Sequence, residues 1–383
     1  MASSLSPIAA AEAAKAVYDI RLSSDVEGAF ASSTNLIREF SQTQPSSRFA
    51  GVSGGVFNSE SGFGIVAEGS GTRAGELLIV TRGTKSASDW YNNAMCTLTL
   101  SSMPVHSGFN QIFQSFKDDL DGRVRNKSIK RVHCIGHSLG GALANLVADW
   151  MLNQRYAKEA ELYTFGAPRV GIRRFSEHLT TGVTPNRIHR VYHHSDVVPM
   201  LPVWPFWHSP QPGDVCYVRA AGESDRPGGE YHDMGLYVES MKRFSKWSEV
   251  QKKVPPTHMD KQVKAWLASD SLLSFTTNTF SLINFSIQYV IKMAVAEGVQ
   301  FVVGVGVHVF DALASFLVKV AALGVKFMEL VGSLMRRILQ ALGVAVVATA
   351  NITYQFVKWV FDKLSAALGR VADMAIRLTH RDL

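Results

Sequence analysis

The sequence has little cysteine and no concentrated block of charge. Its 383 residues include three cysteines, Cys96, Cys134 and Cys216, an odd number at wide spacing. They support neither a disulfide framework nor a Cys-x-x-Cys metal site, and we expect three small core residues. Lys and Arg number 39 against 32 Asp and Glu, giving a net charge of +7 that is scattered along the chain. This distribution excludes a basic arm for nucleic acid and allows at most a weak attraction to an anionic membrane surface.

The first residues lack the pattern of a secretory signal. Met1–Pro7 carries no basic region followed by an apolar run, so we expect a protein made in the cytoplasm without a cleavable signal peptide. Export would then use a non-classical route. Apolar residues make up 46% of the chain, enough for a sizeable core, and this excludes a wholly disordered protein.

The first 270 residues alternate between short apolar runs and amphipathic stretches. This alternation predicts an α/β fold, with a mostly parallel sheet and helices on both faces. The predicted strands are Gly62–Ala67, Glu76–Thr81, Arg131–Ile135, Leu162–Phe165 and Ile188–Tyr192, and the predicted helices are Ser6–Ile20, His106–Leu120, Gly141–Gln154 and Tyr231–Phe244.

The most informative segment is Gly136-His137-Ser138-Leu139-Gly140, which lies between a predicted strand and a predicted helix. A serine on a sharp strand-to-helix turn needs small residues two positions before and after it, because bulky side chains would clash with the elements that the turn joins. The turn lifts the Ser138 hydroxyl clear of the sheet. It also places the Leu139 N–H at a helix N-terminus, where developing negative charge is stabilised. The pattern predicts a nucleophile elbow with Ser138 as the nucleophile.

With this elbow the chain resembles the class 3 lipases, the fungal-type lipases of the α/β-hydrolase fold, over roughly residues 50–245. Several blocks occur in the order typical of that family, and their joint match is far more specific than the elbow alone. They are Val80–Trp90, Val105–Phe109, Gly136–Gly141, Thr164–Gly171 and Ser195–Pro202. The first contains the Arg-Gly-Thr and Asp-Trp elements, and the third is the Gly-His-Ser-Leu-Gly-Gly form of the elbow.

The resemblance implies ester hydrolysis by a Ser–Asp–His triad in that chain order. Asp196 follows a predicted strand and lies in the block where the family carries its acid, with Asp214 as the alternative. His232, in a segment resembling the family's His-x-x-x-x-Tyr, is the expected base. His208 and His258 also follow the acid and remain alternatives.

Two backbone N–H groups are expected to hold the oxyanion, those of Leu139 and Thr84. Thr84 matches the position after an early strand that supplies the second donor, and its hydroxyl could also reach the oxyanion. Asp89-Trp90 begins the region where family members carry a lid helix, and a packed surface helix is an equal alternative. The chemistry needs no cofactor, and no metal-ligand spacing is present.

Four regions follow from these patterns: an N-terminal helical segment packing on the hydrolase (1–50), the lipase-like catalytic domain (51–254), a linker that includes Pro255-Pro256 (255–270), and an apolar amphipathic helical tail (271–383). The tail shows helical periodicity over Leu313–Leu330 and again over Phe356–Leu378. Three interpretations of it remain open: a helical subdomain packed on the catalytic domain, a membrane-inserting or membrane-lying segment, and a docking surface for a partner.

The overall architecture resembles that of bacterial phospholipase and lipase effectors, which are antibacterial or host-directed. The resemblance rests on the lipase-like domain, the lack of a recognisable signal peptide and the apolar helical tail. The expected partners are a lipid substrate and a membrane surface, with a chaperone, an immunity protein or a secretion component as further candidates. The alternative function is membrane permeabilisation by the tail, with the hydrolase secondary. The sequence does not choose between lipase and phospholipase A-type specificity.

Overall fold

A computed structural model describes residues 4–18, 39–41, 48–53, 59–83, 97–99, 102–212, 215–224, 226–253, 259–271, 273–274, 276–303, 307–345 and 352–379. Within these residues, one nine-stranded sheet carries helices on both faces, and the helices of the tail pack beside it. Cys134 and Cys216 are free and buried, whereas Cys96 lies outside the described residues.

Most of the sheet is parallel, which confirms the α/β prediction. The strands are β1 (Phe40–Ser41), β2 (Arg48–Ser53), β3 (Ser59–Gly69), β4 (Glu76–Thr81), β5 (Ile129–His137), β6 (Ala157–Phe165), β7 (Gly171–Ile172), β8 (Ile188–His193), β9 (Phe206–Trp207), β10 (Val215–Val218) and β11 (Lys252–Lys253). The sheet order is β1-β3-β4-β5-β6-β8-β10-β11, with β2 also paired to β3. Strands β4, β5, β6, β8 and β10 run parallel, and β3 and β11 flank them in antiparallel pairs. β7 and β9 form a separate two-stranded sheet.

The register brings the carboxyl ends of the central strands to one edge. Thr81 pairs with Gly136, Gly136 with Thr164, and Thr164 with Arg190. The loops that follow β4, β5, β6 and β8 therefore leave the sheet side by side, and this edge is where parallel α/β sheets carry their ligand and catalytic sites.

The helices of the catalytic region cover both faces of the sheet. They are α1 (Pro7–Ala16), α2 (Ser107–Val124), α3 (Leu139–Asn153), α4 (Arg173–Val183) and α5 (Met234–Met241). Strand alternation sends Leu77 and Ile79 into the core shared with α2, α3 and α4, whereas Leu78 and Val80 face α1 and α5. Two of these helices begin at an N-cap side chain. Ser6 caps α1 ahead of Pro7, and the Asp233 side chain accepts a hydrogen bond from the Leu236 N–H at the start of α5.

A buried polar network lies along the central strands on the α1 side of the sheet. Nε2 of His133 lies 2.9 Å from Oε2 of Glu76, and the Tyr163 hydroxyl donates to Glu161 Oε2 at 2.8 Å. The Leu5 N–H in turn donates to the Tyr163 oxygen at 2.9 Å, which ties the residues before α1 to the sheet. Burial alone would raise the pKa of Glu161, but hydrogen bonds from residues that include His189 and Tyr163 outweigh it and lower that pKa to about 2.

Four helices of the tail join the same apolar core as α2–α4. They are α7 (Thr277–Ala296), α8 (Val309–Ala321), α9 (Val325–Ala341) and α10 (Tyr354–Thr379), and they follow α6 (Asp260–Ala268). The tail contacts the loop after Asp196: the Asn284 side chain accepts from the Trp204 N–H at 2.8 Å, and the Trp204 and Phe301 rings meet edge to face with centroids 4.5 Å apart. The tail therefore packs on the region that carries the candidate acid.

The structure divides the periodic stretch Leu313–Leu330 into two helices. Helix α8 ends at Ala321, and α9 begins after Gly324, whose φ of +145° only glycine adopts easily. Apolar residues recur at helical spacing on both sides of this turn because both helices face the same core, so the periodicity alone does not reveal the break.

Among the described helices, one is long and apolar enough to cross a membrane. This is α7, with a mean hydropathy of 1.2, and half of its apolar stretch is buried inside the protein. The segment predicted as a linker also contains α6, whose Val263, Trp266 and Leu267 are buried. Pro255-Pro256 lies outside the described residues.

Candidate active site

Ser138 lies on the strand-to-helix turn between β5 and α3 and has a strained backbone. Its φ of 57° and ψ of −132° are unusual for a residue with a side chain. The flanking glycines allow this turn: a Cβ on Gly136 would lie 2.2 Å from the Gly140 carbonyl oxygen, and a Cβ on Gly140 would lie 2.2 Å from the Thr81 oxygen. The Ser138 N–H donates to the Phe165 carbonyl at 3.0 Å, which joins the elbow to the end of β6. The turn thus has the geometry of a nucleophile elbow.

His232 and Asp196 come together from two different loops. His232 ends a short 3₁₀ turn, Gly229–His232, just before α5, and Asp196 follows β8. The His232 Nδ1 lies 2.8 Å from Asp196 Oδ2, and both side chains are fully buried. An Nδ1–H donated to a carboxylate leaves Nε2 as the nitrogen free to accept a proton, as a general base requires.

The Asp196 carboxylate is fixed by two further donors. The Val198 N–H donates to Oδ1 at 2.9 Å, and the Tyr237 hydroxyl donates to Oδ2 at 2.7 Å. Burial and the neighbouring carboxylate raise the pKa of Tyr237, so this hydroxyl keeps its proton and remains a donor. The Tyr237 oxygen also accepts the His193 N–H at 3.1 Å. The carboxylate therefore has one orientation in which it can hold the His232 ring.

The absence of a side chain at Gly166 leaves the space for this pair. A Cβ at this position would lie 2.6 Å from Asp196 Oδ2, 3.0 Å from His232 Nδ1 and 3.0 Å from the Tyr237 hydroxyl. The backbone of Gly166 also has a φ of +55°, in the left-handed region that favours glycine. Both the conformation and the space favour glycine over any larger residue at this position.

Among the described residues, the Oγ of Ser138 and the Nε2 of His232 are buried polar atoms at this edge without a hydrogen-bond partner. One is a hydroxyl donor and the other is the acceptor nitrogen of a histidine whose Nδ1 is engaged with a carboxylate. Buried polar atoms are rarely left unpaired without a functional reason. Catalytic hydrogen bonds are also often long in unliganded enzymes and shorten once substrate binds. The two atoms are complementary, as expected for a nucleophile and its base.

His137 and Tyr18 connect the elbow to the turn that carries His232. The His137 Nε2–H donates to the His232 carbonyl oxygen at 2.8 Å, so its Nδ1 accepts from the Tyr18 hydroxyl, also at 2.8 Å. The His137 and His232 rings pack with centroids 4.6 Å apart. The Tyr18 oxygen also forms a hydrogen bond with the backbone of Gly83, and burial raises the pKa of this hydroxyl. One tyrosine thus contacts the residue before Thr84 and the residue before Ser138.

The C-terminal helix α10 supports the same turn from the other side. A Cβ on Gly229 would lie 2.8 Å from the Cα of Ala375 and 2.9 Å from Leu378 Cδ1. The backbones of the turn and of α10 are therefore in close contact, and the position of His232 depends on a helix of the tail.

The oxyanion residues are only partly described. Leu139 is buried and is the first residue of α3, so its N–H lies at the positive end of a helix. Thr84 and the Asp89-Trp90 segment lie outside the described residues. Gly83 is the last described residue before them, and a Cβ there would lie 3.3 Å from Ser138 Cβ, so Gly83 lies next to the nucleophile.

Of the alternative residues, only His208 is described. Its Nε2–H donates to the Pro199 carbonyl at 2.7 Å, and burial lowers its pKa well below the usual range. This histidine is neutral and its Nε2 is occupied in the loop after Asp196. His258 and Asp214 lie outside the described residues.

The sequence does not indicate the contributions of Tyr18 and Gly166. Tyr18 lies 119 residues before its partner His137 and outside every recognised motif. Gly166 lies inside a recognised block, but its proximity to Asp196 and His232 depends on the packing of three loops. Tyr237 is the tyrosine of the His-x-x-x-x-Tyr segment, and only the structure shows that it donates to Asp196.

The fold is that of an α/β-hydrolase. It combines a mostly parallel sheet with an elbow after β5, and the loops that carry the acid and the histidine lie at the same sheet edge. The class 3 lipase family model matches residues 78–206, in agreement with the resemblance that the sequence motifs indicated. The match ends before His232.

Curated relatives match shorter stretches of the chain. Toxin TseL of Vibrio cholerae is 36% identical over 102 residues, which cover 26% of this chain and 15% of the toxin. Secreted mono- and diacylglycerol lipase 1 of Fusarium solani is 31% identical over 163 residues, or 39% of this chain and 46% of the lipase. The chain thus spans less than half the length of either relative. Among solved structures, a lipase from Rhizopus microsporus var. chinensis aligns with a TM-score of 0.40 at 20% identity, covering 58% of this chain and 74% of the lipase.

Proposed function

We propose that this protein hydrolyses carboxylic esters of lipids through an acyl-enzyme on Ser138. The observation that carries the proposal is the pair of buried, unpartnered atoms at the sheet edge, Ser138 Oγ and His232 Nε2, with Asp196 2.8 Å behind the histidine. Buried polar atoms are rarely left unpaired, and a serine hydrolase needs a hydroxyl and a base nitrogen at the same sheet edge.

In the first half of the reaction, the Ser138 hydroxyl attacks the ester carbonyl carbon while His232 Nε2 takes its proton. The developing oxyanion is stabilised by the N–H of Leu139 and by a second donor at Thr84. Collapse of the intermediate breaks the ester bond, and His232 returns the proton to the leaving alcohol. Water then attacks the acyl-enzyme with the same base, which releases the carboxylic acid and restores the serine.

The substrate class follows from the family and not from the triad. Serine triads of this geometry cleave many esters and amides, and the class 3 lipase match supports a lipid acyl ester. A mono- or diacylglycerol is one candidate, because the Fusarium relative carries that name. A phospholipid cleaved in phospholipase A fashion is the other.

The test is Ser138→Ala, with mass spectrometry of the products released from mixed natural lipids. We expect wild type to release fatty acids and a defined partner product, and the variant to release neither. Only wild type should be labelled by a fluorophosphonate. Ser286→Ala is the matched control, because the Ser286 hydroxyl is also buried and unpartnered but lies on α7. Full activity in folded Ser138→Ala protein would overturn the proposal.

A second proposal concerns the biological setting. The match to Toxin TseL supports a role as an antibacterial or host-directed effector whose target is a membrane lipid and whose producer is protected by an immunity protein. Directing the protein to the bacterial periplasm should then be toxic, and Ser138→Ala should abolish the toxicity. Toxicity that persists in Ser138→Ala, together with dye leakage from vesicles of non-hydrolysable ether lipids, would instead favour permeabilisation by the tail.

A further inference from the structure

The outer face of α10 carries a row of basic side chains that the proposed hydrolysis does not use. Lys363, Arg370 and Arg377 are seven residues apart, about two helical turns, so they lie along one side of the helix. All three are exposed, and within the described part of the chain none forms an ion pair or a hydrogen bond. By contrast, Lys358 on the same helix is paired with both Asp311 and Asp362. We call the three residues the basic stripe.

An apolar groove runs beside the basic stripe. A cavity of about 730 Å³ lies between α10 and the residues that end α9, with Lys363 and Arg370 at its rim. A second cavity of about 370 Å³ shares Arg370 with the first and continues along the helix to Arg377. The larger apolar side chains of this groove are Leu273, Leu342, Val344, Val371, Met374 and Leu378, and Asp373 also lines it.

Large apolar side chains are exposed on the same face. Trp359 is 40% exposed and Met374 is 47% exposed, and both lie in the register of the basic stripe, four residues before Lys363 and four after Arg370. Tryptophan favours the boundary between lipid headgroups and acyl chains, and basic helices with such apolar residues lie in that boundary. The face therefore presents unpaired positive charge, an apolar groove and an interfacial aromatic ring together.

We propose that the basic stripe and its groove form a docking site for an anionic phospholipid bilayer. Charge complementarity selects this occupant: three cations, against the single carboxylate of Asp373 in the same groove, match anionic headgroup phosphates, while the groove beside them takes an acyl chain. A small soluble anion would use only the cations and would leave the groove empty.

The docking site shares a helix with the candidate catalytic base. Ala375 contacts Gly229 from the inner face of α10, whereas Arg370, Met374 and Arg377 are exposed on the outer face. Leu378 is half-buried between the two faces, where it contacts Gly229 and also lines the groove. A bilayer bound at the stripe would therefore lie against the helix that supports the His232 turn. This inference deepens the proposed lipid hydrolysis by naming the surface at which it takes place.

The experiment measures vesicle binding in a Ser138→Ala background, so that hydrolysis cannot alter the lipid. Vesicles of phosphatidylcholine alone are compared with vesicles that also contain phosphatidylglycerol, by co-sedimentation at low and at physiological salt. We expect binding to the mixed vesicles, weakened by salt. Combining Lys363→Gln, Arg370→Gln and Arg377→Gln should weaken that binding on the order of a hundredfold, since each basic residue near an anionic surface contributes about a fivefold gain.

The matched control is Lys130→Gln, Arg155→Gln and Lys158→Gln, with the same loss of net charge. These three cations are exposed, and none has an ion pair or a hydrogen bond between side chains among the residues that the structure describes. These residues lie at the amino ends of β5 and β6, opposite the edge that carries Ser138. We expect the control to bind within about threefold of the parent, because screening limits the effect of distant charges. If the stripe variant does not fold, Arg370→Gln alone should still weaken binding about fivefold.

Three results would overturn the docking site: equal losses in both triple variants, parental binding by the stripe variant, or equal binding to neutral and anionic vesicles. Failure of the proposed function gives a different result. If wild type hydrolyses no ester while Ser138→Ala protein still binds anionic vesicles through the stripe, only the hydrolase proposal fails. If wild type hydrolyses a soluble ester but binds no vesicle, only the docking site fails.

Discussion

Replacing Gly166 with alanine would test whether the space around the candidate acid and base governs activity. The added Cβ would lie 2.6 Å from Asp196 Oδ2 and 3.0 Å from His232 Nδ1, and the first distance is shorter than real Cβ contacts. The carboxylate or the imidazole must therefore move by several tenths of an ångström. Displacements of about 1 Å in a catalytic group cost on the order of a hundredfold in rate, so we expect kcat to fall by about 10- to 100-fold.

The same substitution also has a conformational cost that is independent of the triad. Holding an alanine at a φ of +55° destabilises the folded state by about 1–2 kcal/mol. The expected outcome is a modest loss in the free energy of unfolding, measured in urea, together with a larger loss of kcat on a soluble short-chain ester. KM should change little, because the side chains nearest the added Cβ are those of the acid, the base and Tyr237.

Gly71→Ala separates the two effects. Gly71 has a φ of +56° and nothing within 4 Å of the position that a Cβ would occupy, so it carries the same conformational cost without a clash. We expect a similar loss of stability and wild-type kcat. If Gly166→Ala protein lost stability like this control but kept kcat within about threefold of wild type, the assignment of Asp196 and His232 to one catalytic unit would be refuted.

Two further perturbations act on buried hydrogen bonds. Tyr18→Phe removes the donor to His137 Nδ1; we expect about 1 kcal/mol lower stability and up to about tenfold lower kcat at unchanged KM, and an unchanged kcat would show that His137 needs no fixed tautomer. Glu161→Gln should destabilise the protein at pH 7, where the depressed pKa of Glu161 contributes stability. That contribution is present above the unfolded-state pKa and is lost as pH falls toward about 2. Urea unfolding should therefore show the gap between variant and wild type narrowing on acidification, and a gap that does not change with pH would contradict the linkage.

The elbow could be read from the sequence because its requirements are local. The positions of Gly136 and Gly140 follow from backbone crowding within five residues, and the structure shows that crowding as 2.2 Å contacts. The central strands could also be predicted from local sequence, as short apolar runs. Strand β4, for example, is buried at all six positions, as expected of a strand inside a parallel sheet.

The supporting contacts could not be read in this way because they join distant parts of the chain. Tyr18, Gly166 and Ala375 contact the site from the turn after α1, the loop after β6 and helix α10, and no periodicity in the sequence relates them. The turn at Gly324 could not be predicted either. Helices α8 and α9 on its two sides face the same core, so apolar residues recur at helical spacing across the turn.

The contact between Gly229 and Ala375 has a practical consequence for any attempt to isolate the smallest active unit. Trimming the chain to residues 78–206, which the family model matches, would remove His232, and trimming only the tail would keep His232 but remove the helix that packs against its turn. With Tyr18 anchoring the opposite side, the reactive centre depends on residues near both extremities of the polypeptide, so we expect shortened versions at either end to lose turnover before they lose their fold.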